Sequence, residues 1–282
     1  MHVNMQTPAT AKAAPPAPSR AGTWGRLPAW LRYILILVAL IVIWQLYVVV
    51  SGVPPLLVSA PPTVANALGT DLANGQLVAA TLATLQNLVI GMLLGMLLGF
   101  AFASVAVFSQ LGHDALSVLS SILNPLPSIA ILPLAMIWFG LTPTAIIFVI
   151  VQATIWPIAI NTDTGFRTIS QTTQMVARNL GLHGLRMVVD VMLPAALPHI
   201  LSGLKAAWAF GWRTVVAAEL VFGVAGSAGG LGWYINNARY YLQTANIFAG
   251  LVMISILGIL VELLFTLIER HTVIRWGMKQ TT

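Results

Sequence analysis

Four charged side chains lie inside long apolar stretches of the sequence, where lipid is the expected surrounding. Lys205, Arg213 and Glu219 share one stretch, and Glu262 lies in the next stretch along the chain. A charge at membrane depth is costly, so it usually pairs with another charge or faces a water-filled pathway. These charges either line a pathway for a charged solute or form packing pairs between helices, and for Lys205 and Glu262 a packing pair is favoured.

Lys205 and Glu262 are expected to pair with each other. At a rise of about 1.5 Å per residue, Lys205 lies about 10 Å from the start of its span and Glu262 about 9 Å from the end of the next. Consecutive spans run in opposite directions, so the two charges lie at similar depth. Arg213 and Glu219 are too far apart around one helix for an ideal pair. Either can face a central cavity, or Glu219 can be a charge at the membrane rim.

Groups that hold metals or catalyse reactions are sparse. The five histidines show no metal-ligand spacing, and the chain has no cysteine, which excludes disulfides and thiolate metal sites. Its seven acidic residues are scattered, whereas an integral-membrane enzyme needs reactive groups together on one face. There is also no G-x-x-x-x-G-K-[ST] phosphate loop. We expect no enzyme activity, metal or cofactor on this chain; ATP-driven transport would need a separate ATPase that binds ATP and Mg.

Membrane-spanning helices must position the charged residues. Hydrophobic residues make up 58% of the chain and charged residues only 7%, whereas soluble domains carry about 25% charged residues. A helix that crosses the hydrocarbon needs about 20 apolar residues. The predicted spans are Tyr33–Val50, Thr84–Phe108, Leu116–Phe139, Thr144–Ile160, Pro198–Phe222 and Ile247–Ile268. The sequence thus predicts an all-α, polytopic membrane bundle of six transmembrane helices.

Prolines interrupt this pattern in two places. Asn124-Pro125-Leu126-Pro127 and Pro133 fall inside the third span, which predicts either a broken helix or an ordinary kink. Between the first two spans, residues 52–80 begin with paired prolines, which block a regular helix. We expect a region of polar turns there.

The distribution of lysine and arginine predicts the orientation. With six spans, three basic groups fall on one side and only Arg239 on the other; the groups are Lys12, Arg20, Arg26 and Arg32, then Arg167, Arg178 and Arg186, then Arg270, Arg275 and Lys279. Basic residues concentrate on the cytoplasmic side. The chain is therefore expected in a bacterial inner membrane with both termini in the cytoplasm. Because topology explains the net charge of +6, membrane lipid and not nucleic acid is the expected partner.

The chain divides into three predicted parts. Residues 1–28 are rich in alanine and proline and poor in large apolar residues, which is typical of a disordered tail, here cytoplasmic. Residues 29–277 form the transmembrane domain. Residues 278–282 are the cytoplasmic C-terminal end.

Glycine recurs at every fourth residue of the second span, at Gly91, Gly95 and Gly99. This spacing leaves one face of the helix bare, so that another helix can approach closely. The approaching helix belongs either to the same subunit or to a second copy of the chain.

The segment between spans four and five is the most specific feature. It predicts a helix, a glycine break, a second short helix and a proline-led entry into span five. It resembles the signature of permeases of binding-protein-dependent ABC importers, which reads Glu-Ala-Ala, three residues, Gly, nine residues, Ile, one residue, Leu-Pro. Gly181, Leu193 and Pro194 match, Ala177 matches the second alanine, and Val191 stands for the isoleucine. Met175 takes the place of the glutamate and Val176 that of the first alanine.

The resemblance covers about residues 30–277, over which the chain is similar to the nitrate/sulfonate/taurine branch of these permeases. Segments that carry it include LLVSAPPTVANAL, Pro127-Ser128-Ile129-Ala130, Leu132–Gly140, Ala218-Glu219 and Gly230-Leu231-Gly232. It implies two permease copies (a homodimer or a heterodimer), two ATPase subunits and a periplasmic substrate-binding protein. The implied cargo is a small solute, anionic if Lys205 and Arg213 face it: a sulfonate, taurine, nitrate or similar.

The same resemblance assigns roles to two segments. Met175–Val191 would be the coupling element to the ATPase, with Leu180, Gly181, Leu182 and His183 at its tip. The outer segment Gly226–Tyr241, including Gly230 and Gly232, would meet the binding protein and help close the outer gate, or would be a simple flexible connection. A secondary transporter without an ATPase is the alternative function. It would need its own ion-coupling site and broken helices in both halves, and only span three looks broken.

Overall fold

The computed structural model describes residues 27–222 and 229–274, and every regular element within these ranges is a helix. The chain divides into two compact units, residues 1–52 and 53–282. In the first unit, helix α1 (Ala29–Ser51) follows Pro28 and ends at Gly52, whose left-handed backbone (φ 60°) closes it. Large apolar side chains all around α1 are exposed, which is typical of a helix that lies in lipid.

The second unit is a bundle of helices of very different lengths. They are α2 (Pro61–Ala73), α3 (Gln76–Phe108), α4 (Gln110–Leu123), α5 (Leu132–Phe139), α6 (Pro143–Arg167), α7 (Gln171–Asn179), α8 (Gly184–Met187), α9 (Leu193–Ala195), α10 (Leu197–Phe222), α11 (Leu231–Tyr240) and α12 (Thr244–Glu269). A 3₁₀ turn (Ser128–Ile131) precedes α5, a π-helical turn (Val188–Met192) joins α8 to α9, and another (Arg270–Ile274) follows α12.

The membrane spans follow from length and apolarity. Helices α1, α3, α6 and α12 are each long and apolar enough to cross a membrane. Two bent pairs also meet the test: α4 with Ser128–Phe139, bent by 85°, and Gly184–Ala195 with α10, bent by 79°. If each bent pair is one span, the described residues contain six. The predicted all-α polytopic bundle is confirmed.

The third span is broken and not simply kinked. Residues 124–127 are not helical, and an α-helix resumes only at Leu132. Pro125 and Pro127 cause this, because each lacks a backbone N–H and clashes with the preceding turn. The Gln152 side chain of α6 donates a hydrogen bond of 2.9 Å to the carbonyl of Leu123. This bond satisfies a backbone carbonyl at the broken end of the helix, because lipid offers no hydrogen-bond donor there.

The expectation of polar turns over residues 52–80 is wrong for most of that region. Pro61 and Pro62 begin helix α2, where a missing N–H costs nothing because the first turn has no intrahelical partner for it. The helix ends at Asn74, and Gly75 turns the chain with φ 80°. Helix α3 then begins at Gln76, eight residues before the predicted Thr84.

The glycine stripe of α3 packs inside this chain. A Cβ at Gly91 would lie 2.5 Å from Ile150, and one at Gly99 would lie 2.9 Å from Ile158. Between them, a Cβ at Gly95 would overlap the hydroxyl of Thr154. All three neighbours lie on α6, so the first alternative, packing within one subunit, is the one observed.

Candidate functional site

Helix α7 and the turn that ends it form the predicted coupling segment. Ser170 caps the start by accepting a hydrogen bond from the Thr173 N–H. At the end, the Gly181 N–H donates to the carbonyl of Arg178 and the Leu182 N–H donates to that of Ala177, each at 3.0 Å. These two bonds define a Schellman motif, in which the residue after the cap is left-handed. Gly181 has φ 80°, which explains why glycine stands there.

The coupling segment has one buried face and one apolar exposed face. Ala177 packs in a cluster with Phe166, Met187, Val188 and Met192. The apolar side chains of the segment that remain exposed are Met175, Val176, Leu180, Leu185 and Val189, each at least half exposed. Such a patch at the end of a bundle is typical of a docking surface.

The other predicted residues of this segment differ in burial. Leu182 and Leu193 are half-buried against the Ala177 cluster. His183 and Pro194 are exposed, and Pro194 begins α9 within its first turn. Gly181 and Gly184 both have positive φ, and neither would meet another atom within 4 Å if it carried a Cβ. Of the predicted residues of this segment, Ala177 alone is buried.

Lys205 and Glu262 form the expected ion pair between α10 and α12. The Nζ of Lys205 lies 2.6 Å from Oε1 of Glu262. Glu262 is 59% exposed and Lys205 34% exposed, so the pair lies on the outside of this chain and not in its core.

Glu219 is buried and holds the start of α11. The side chain of this residue is 3% exposed, so it is not a rim charge of this chain. Its carboxylate accepts hydrogen bonds from the Thr84 hydroxyl (2.8 and 3.0 Å) and from the Gly232 N–H (3.0 Å). The Thr84 oxygen in turn accepts from the Leu231 N–H at 2.7 Å. Glu219 and Thr84 thus cap the first turn of α11, whose N–H groups have no partner within the helix.

Gly230 and Gly232 permit this cap by lacking a side chain. A Cβ at Gly230 would overlap the Glu219 carboxylate, and a Cβ at Gly232 would overlap the backbone oxygen of Val216. The predicted outer segment is therefore no flexible connection between residues 231 and 240, where α11 is a helix with mostly buried residues. Gly226, which begins the predicted segment, lies outside the described residues.

Arg213 lines a cavity of about 320 Å³ at the break in the third span. Residues 124–129 line one side of this cavity, and Gln152, Ala153, Phe210, Thr214 and Ala217 complete it. Within the described ranges, no carboxylate lies within ion-pair distance of Arg213. The arrangement offers an unpaired positive charge beside an irregular stretch of membrane backbone.

Comparison with known proteins identifies the family. The model of the binding-protein-dependent transport system inner membrane component matches residues 88–274. SsuC of Bacillus subtilis (strain 168), named for aliphatic sulfonates transport, is 30% identical over 88% of this chain and 88% of its own. The taurine transport system permease protein TauC of Escherichia coli (strain K12) is 30% identical over 83% of this chain and 86% of its own. The nitrate import permease protein NrtB of Leptolyngbya laminosa is 33% identical over 68% and 67%.

The chain belongs to this family of ABC importer permeases. As a permease it is a transport component and not an enzyme, and it acts with an ATPase and a substrate-binding protein. The comparisons do not favour the alternative of a secondary transporter. The family match begins at residue 88, so it includes α6, α7 and α10 with the coupling segment and Arg213.

Sequence reasoning missed one polar cluster of the permease. Asp71 of α2 is 6% exposed and accepts hydrogen bonds from the Tyr234 hydroxyl (2.5 Å) and the Asn246 amide (2.7 Å). Burial, together with the hydrogen bond to Asp71, raises the pKa of the Tyr234 phenol. The cluster ties α2 to α11 and α12. Its signal was an acidic residue in an apolar context, but Asp71 fell in the region taken for polar turns.

Proposed function

We propose that this permease forms, with a second copy of itself, the membrane pathway of an importer for a small anionic solute. The substrates named for its relatives are aliphatic sulfonates, taurine and nitrate. A periplasmic binding protein delivers the solute to the outer side. Residues 29–277 make up the permease domain, and residues 1–28 and 278–282 extend into the cytoplasm of a bacterial cell, beside the inner membrane. Membrane lipid surrounds the apolar faces of α1, α3 and α12.

The exposed apolar patch of α7 and its glycine turn is the observation that carries the coupling role. An apolar helical surface docks into a groove of a partner, and Met175, Val176 and Leu180 supply such a surface here. Because Ala177 packs on Phe166 at the end of α6 and on Met192 before α10, a displacement of α7 is transmitted to both spans. Closure of the ATPase dimer can thus move the pathway helices between outward-open and inward-open arrangements.

Position 175 holds a methionine where the family signature has a glutamate, which changes the chemistry of the contact with the ATPase. A methionine cannot form an ion pair, but its flexible thioether fits irregular apolar grooves. We infer that the partner ATPase meets Met175 through apolar contacts.

The hydrogen bonds at the start of α11 support a role for Glu219, Gly230 and Gly232 in the outer gate. By capping α11, Glu219 joins the end of α10 to the outer segment that contacts the binding protein. A contact on α11 can therefore be transmitted to α10, which also carries Lys205 and Arg213. Lys205 and Glu262 join α10 to α12 at the other end.

Substitution of Gly181 by valine tests the coupling role. Valine at φ 80° costs at least about 1–2 kcal/mol, which distorts the turn without filling any space, since nothing lies within 4 Å. In proteoliposomes that contain the permease, its ATPase and the binding protein, we expect uptake of solute per ATP hydrolysed to fall by about tenfold. The subunit should still insert and bind its second copy.

Gly75→Val is the matched control. Gly75 has the same φ of 80° and the same open surroundings, but it lies between α2 and α3, at the opposite end of α3 from the coupling segment. Its variant should retain the wild-type ratio of uptake to hydrolysis. If Gly181→Val transports normally, or if both variants lose coupling equally, the assignment of the coupling segment is wrong.

A further inference from the structure

The cavity at the break in the third span combines one cation with an apolar wall. Arg213 is the only charged residue among those that line the part of the cavity within the described ranges. Phe210, 49% exposed, lies three residues earlier on α10, so it is its neighbour on the same helix face. Pro125, Leu126, Pro127 and Ile129 also line the cavity. The volume of about 320 Å³ falls in the range of small-molecule sites.

Arg213 has a charge that the described residues leave uncompensated. It lies well inside α10, nine residues before the end of that helix, where an unpaired charge is costly. The other cation of this span, Lys205, is paired with Glu262. A ligand anion in the cavity would supply the missing counter-charge, and the guanidinium fork suits a head group with several oxygens.

The remaining polar groups narrow the ligand class. Gln152 is already engaged, since its amide nitrogen donates to the Leu123 carbonyl and its oxygen accepts from the Trp156 indole. Pro125 and Pro127 have no N–H to donate. Among the described lining residues none is acidic, so no carboxylate there would pair with the ammonium group of a zwitterion. Besides Arg213, Asn124, Ser128 and Thr214 also line the cavity and can donate hydrogen bonds. The cavity therefore offers one cationic contact, a few neutral donors and a large apolar surface.

We propose that this cavity binds a small organic monoanion during translocation, with Arg213 on its head group and Phe210 against its carbon chain. This inference rests on the importer function proposed above and restricts the solute to one chemical class. An alkanesulfonate fits the cavity better than nitrate, which has no carbon chain, and better than taurine, which carries a positive charge.

Direct binding to the permease–ATPase complex, without binding protein, tests this site. Isothermal titration would use ethanesulfonate, nitrate and taurine as probes. Ethanesulfonate should bind most tightly, and Arg213→Gln should lower its affinity by about 10- to 100-fold, the loss expected for a charge-assisted hydrogen bond. Arg213→Lys should retain part of the affinity. Phe210→Ala should weaken ethanesulfonate and leave nitrate unchanged. Arg270→Gln, an exposed charge away from the cavity, is the control and should bind as the wild type does.

Several results would overturn the site. These are an equal affinity of wild type and Arg213→Gln for ethanesulfonate, no ethanesulfonate binding by the wild type, or equal binding of nitrate or taurine. Uptake in proteoliposomes separates this failure from that of the function. If the wild type shows no ATP-driven uptake of any anion, the proposed function fails; if wild type and Arg213→Gln import ethanesulfonate with equal KM, only this site fails.

Discussion

The carboxylate of Glu219 accepts a hydrogen bond from the backbone N–H of Gly232, thirteen residues later in the chain. The acceptor lies near the end of α10 and the donor in the first turn of α11. The contact exists because glycine at 230 and 232 lets the α11 backbone reach the carboxylate. A single acidic side chain thus fixes how α11 begins.

Replacement of Glu219 by alanine should destabilise the permease more than replacement by glutamine. Alanine leaves the Gly232 N–H and the Thr84 O–H buried without an acceptor, which costs about 1–3 kcal/mol per donor. Glutamine keeps one oxygen to accept from Gly232 but loses the charge near the helix N-terminus, worth about 1 kcal/mol. Thermal unfolding of the purified permease measures both. Glu262→Gln, at an exposed carboxylate, should shift the melting temperature less; an equal shift would show that the cap contributes nothing.

Gly232→Ala should destabilise the outer segment although alanine favours helices. Its Cβ would overlap the backbone oxygen of Val216 and approach the Glu219 side chain, so α11 must move by part of an ångström and lose the cap. The matched control is Gly69→Ala in α2, where a Cβ meets nothing within 4 Å and stability should rise by about 0.5–1 kcal/mol. Melting temperatures that change in the same direction in both variants would contradict the close approach.

Tyr234→Phe should lower stability at neutral pH and flatten its dependence on alkaline pH. The lost hydrogen bond to the Asp71 carboxylate is worth about 1.5–3 kcal/mol. Because the pKa of the Tyr234 phenol is raised in the folded protein, its contribution is fully present below the unfolded value of about 10. It is lost as pH rises through the folded value. Melting curves between pH 7 and 11 test this against the exposed Tyr241→Phe, whose alkaline slope should match the wild type.

Some features were predictable because one local rule decides them. Composition predicted the apolar spans. Gly181 predicted the break after α7, because glycine readily adopts the left-handed backbone that ends a helix. The stripe at Gly91, Gly95 and Gly99 predicted close packing. Each of these glycines meets a residue of α6 that lies more than fifty positions later, so the choice between the same subunit and a second copy needed the structure.

Other features depend on long-range contacts that no local pattern reveals. The position of Glu219 near the end of its span left a cavity-facing charge and a rim charge open, whereas its contact with Thr84, 135 residues earlier, makes it part of a buried helix cap. Asp71 was passed over because prolines at 61 and 62 were taken to exclude a helix. Proline in fact fits the first turn, and the helix that follows carries Asp71 to Tyr234.

The orientation can be measured because the native chain has no cysteine, so a single introduced thiol has no background. Leu180→Cys in the coupling segment and Tyr241→Cys after α11 are both highly exposed. With the coupling segment in the cytoplasm, a membrane-impermeant maleimide should label Tyr241→Cys in intact spheroplasts. Leu180→Cys should react only after the membrane is opened. The reverse pattern would place both termini outside and contradict the charge asymmetry.

Exchange of the charges at Lys205 and Glu262 should show that they act as a pair. Lys205→Glu or Glu262→Lys alone places two like charges within reach of each other, so each should reduce uptake and stability. The double exchange restores opposite charges across the 2.6 Å contact and should recover part of both losses. Since both side chains are partly exposed, the coupling in a double-mutant cycle should be about 1 kcal/mol or less. If stability returns but uptake does not, the pair has a role in the pathway beyond joining α10 to α12. If the double variant recovers neither, the two residues do not act as a pair.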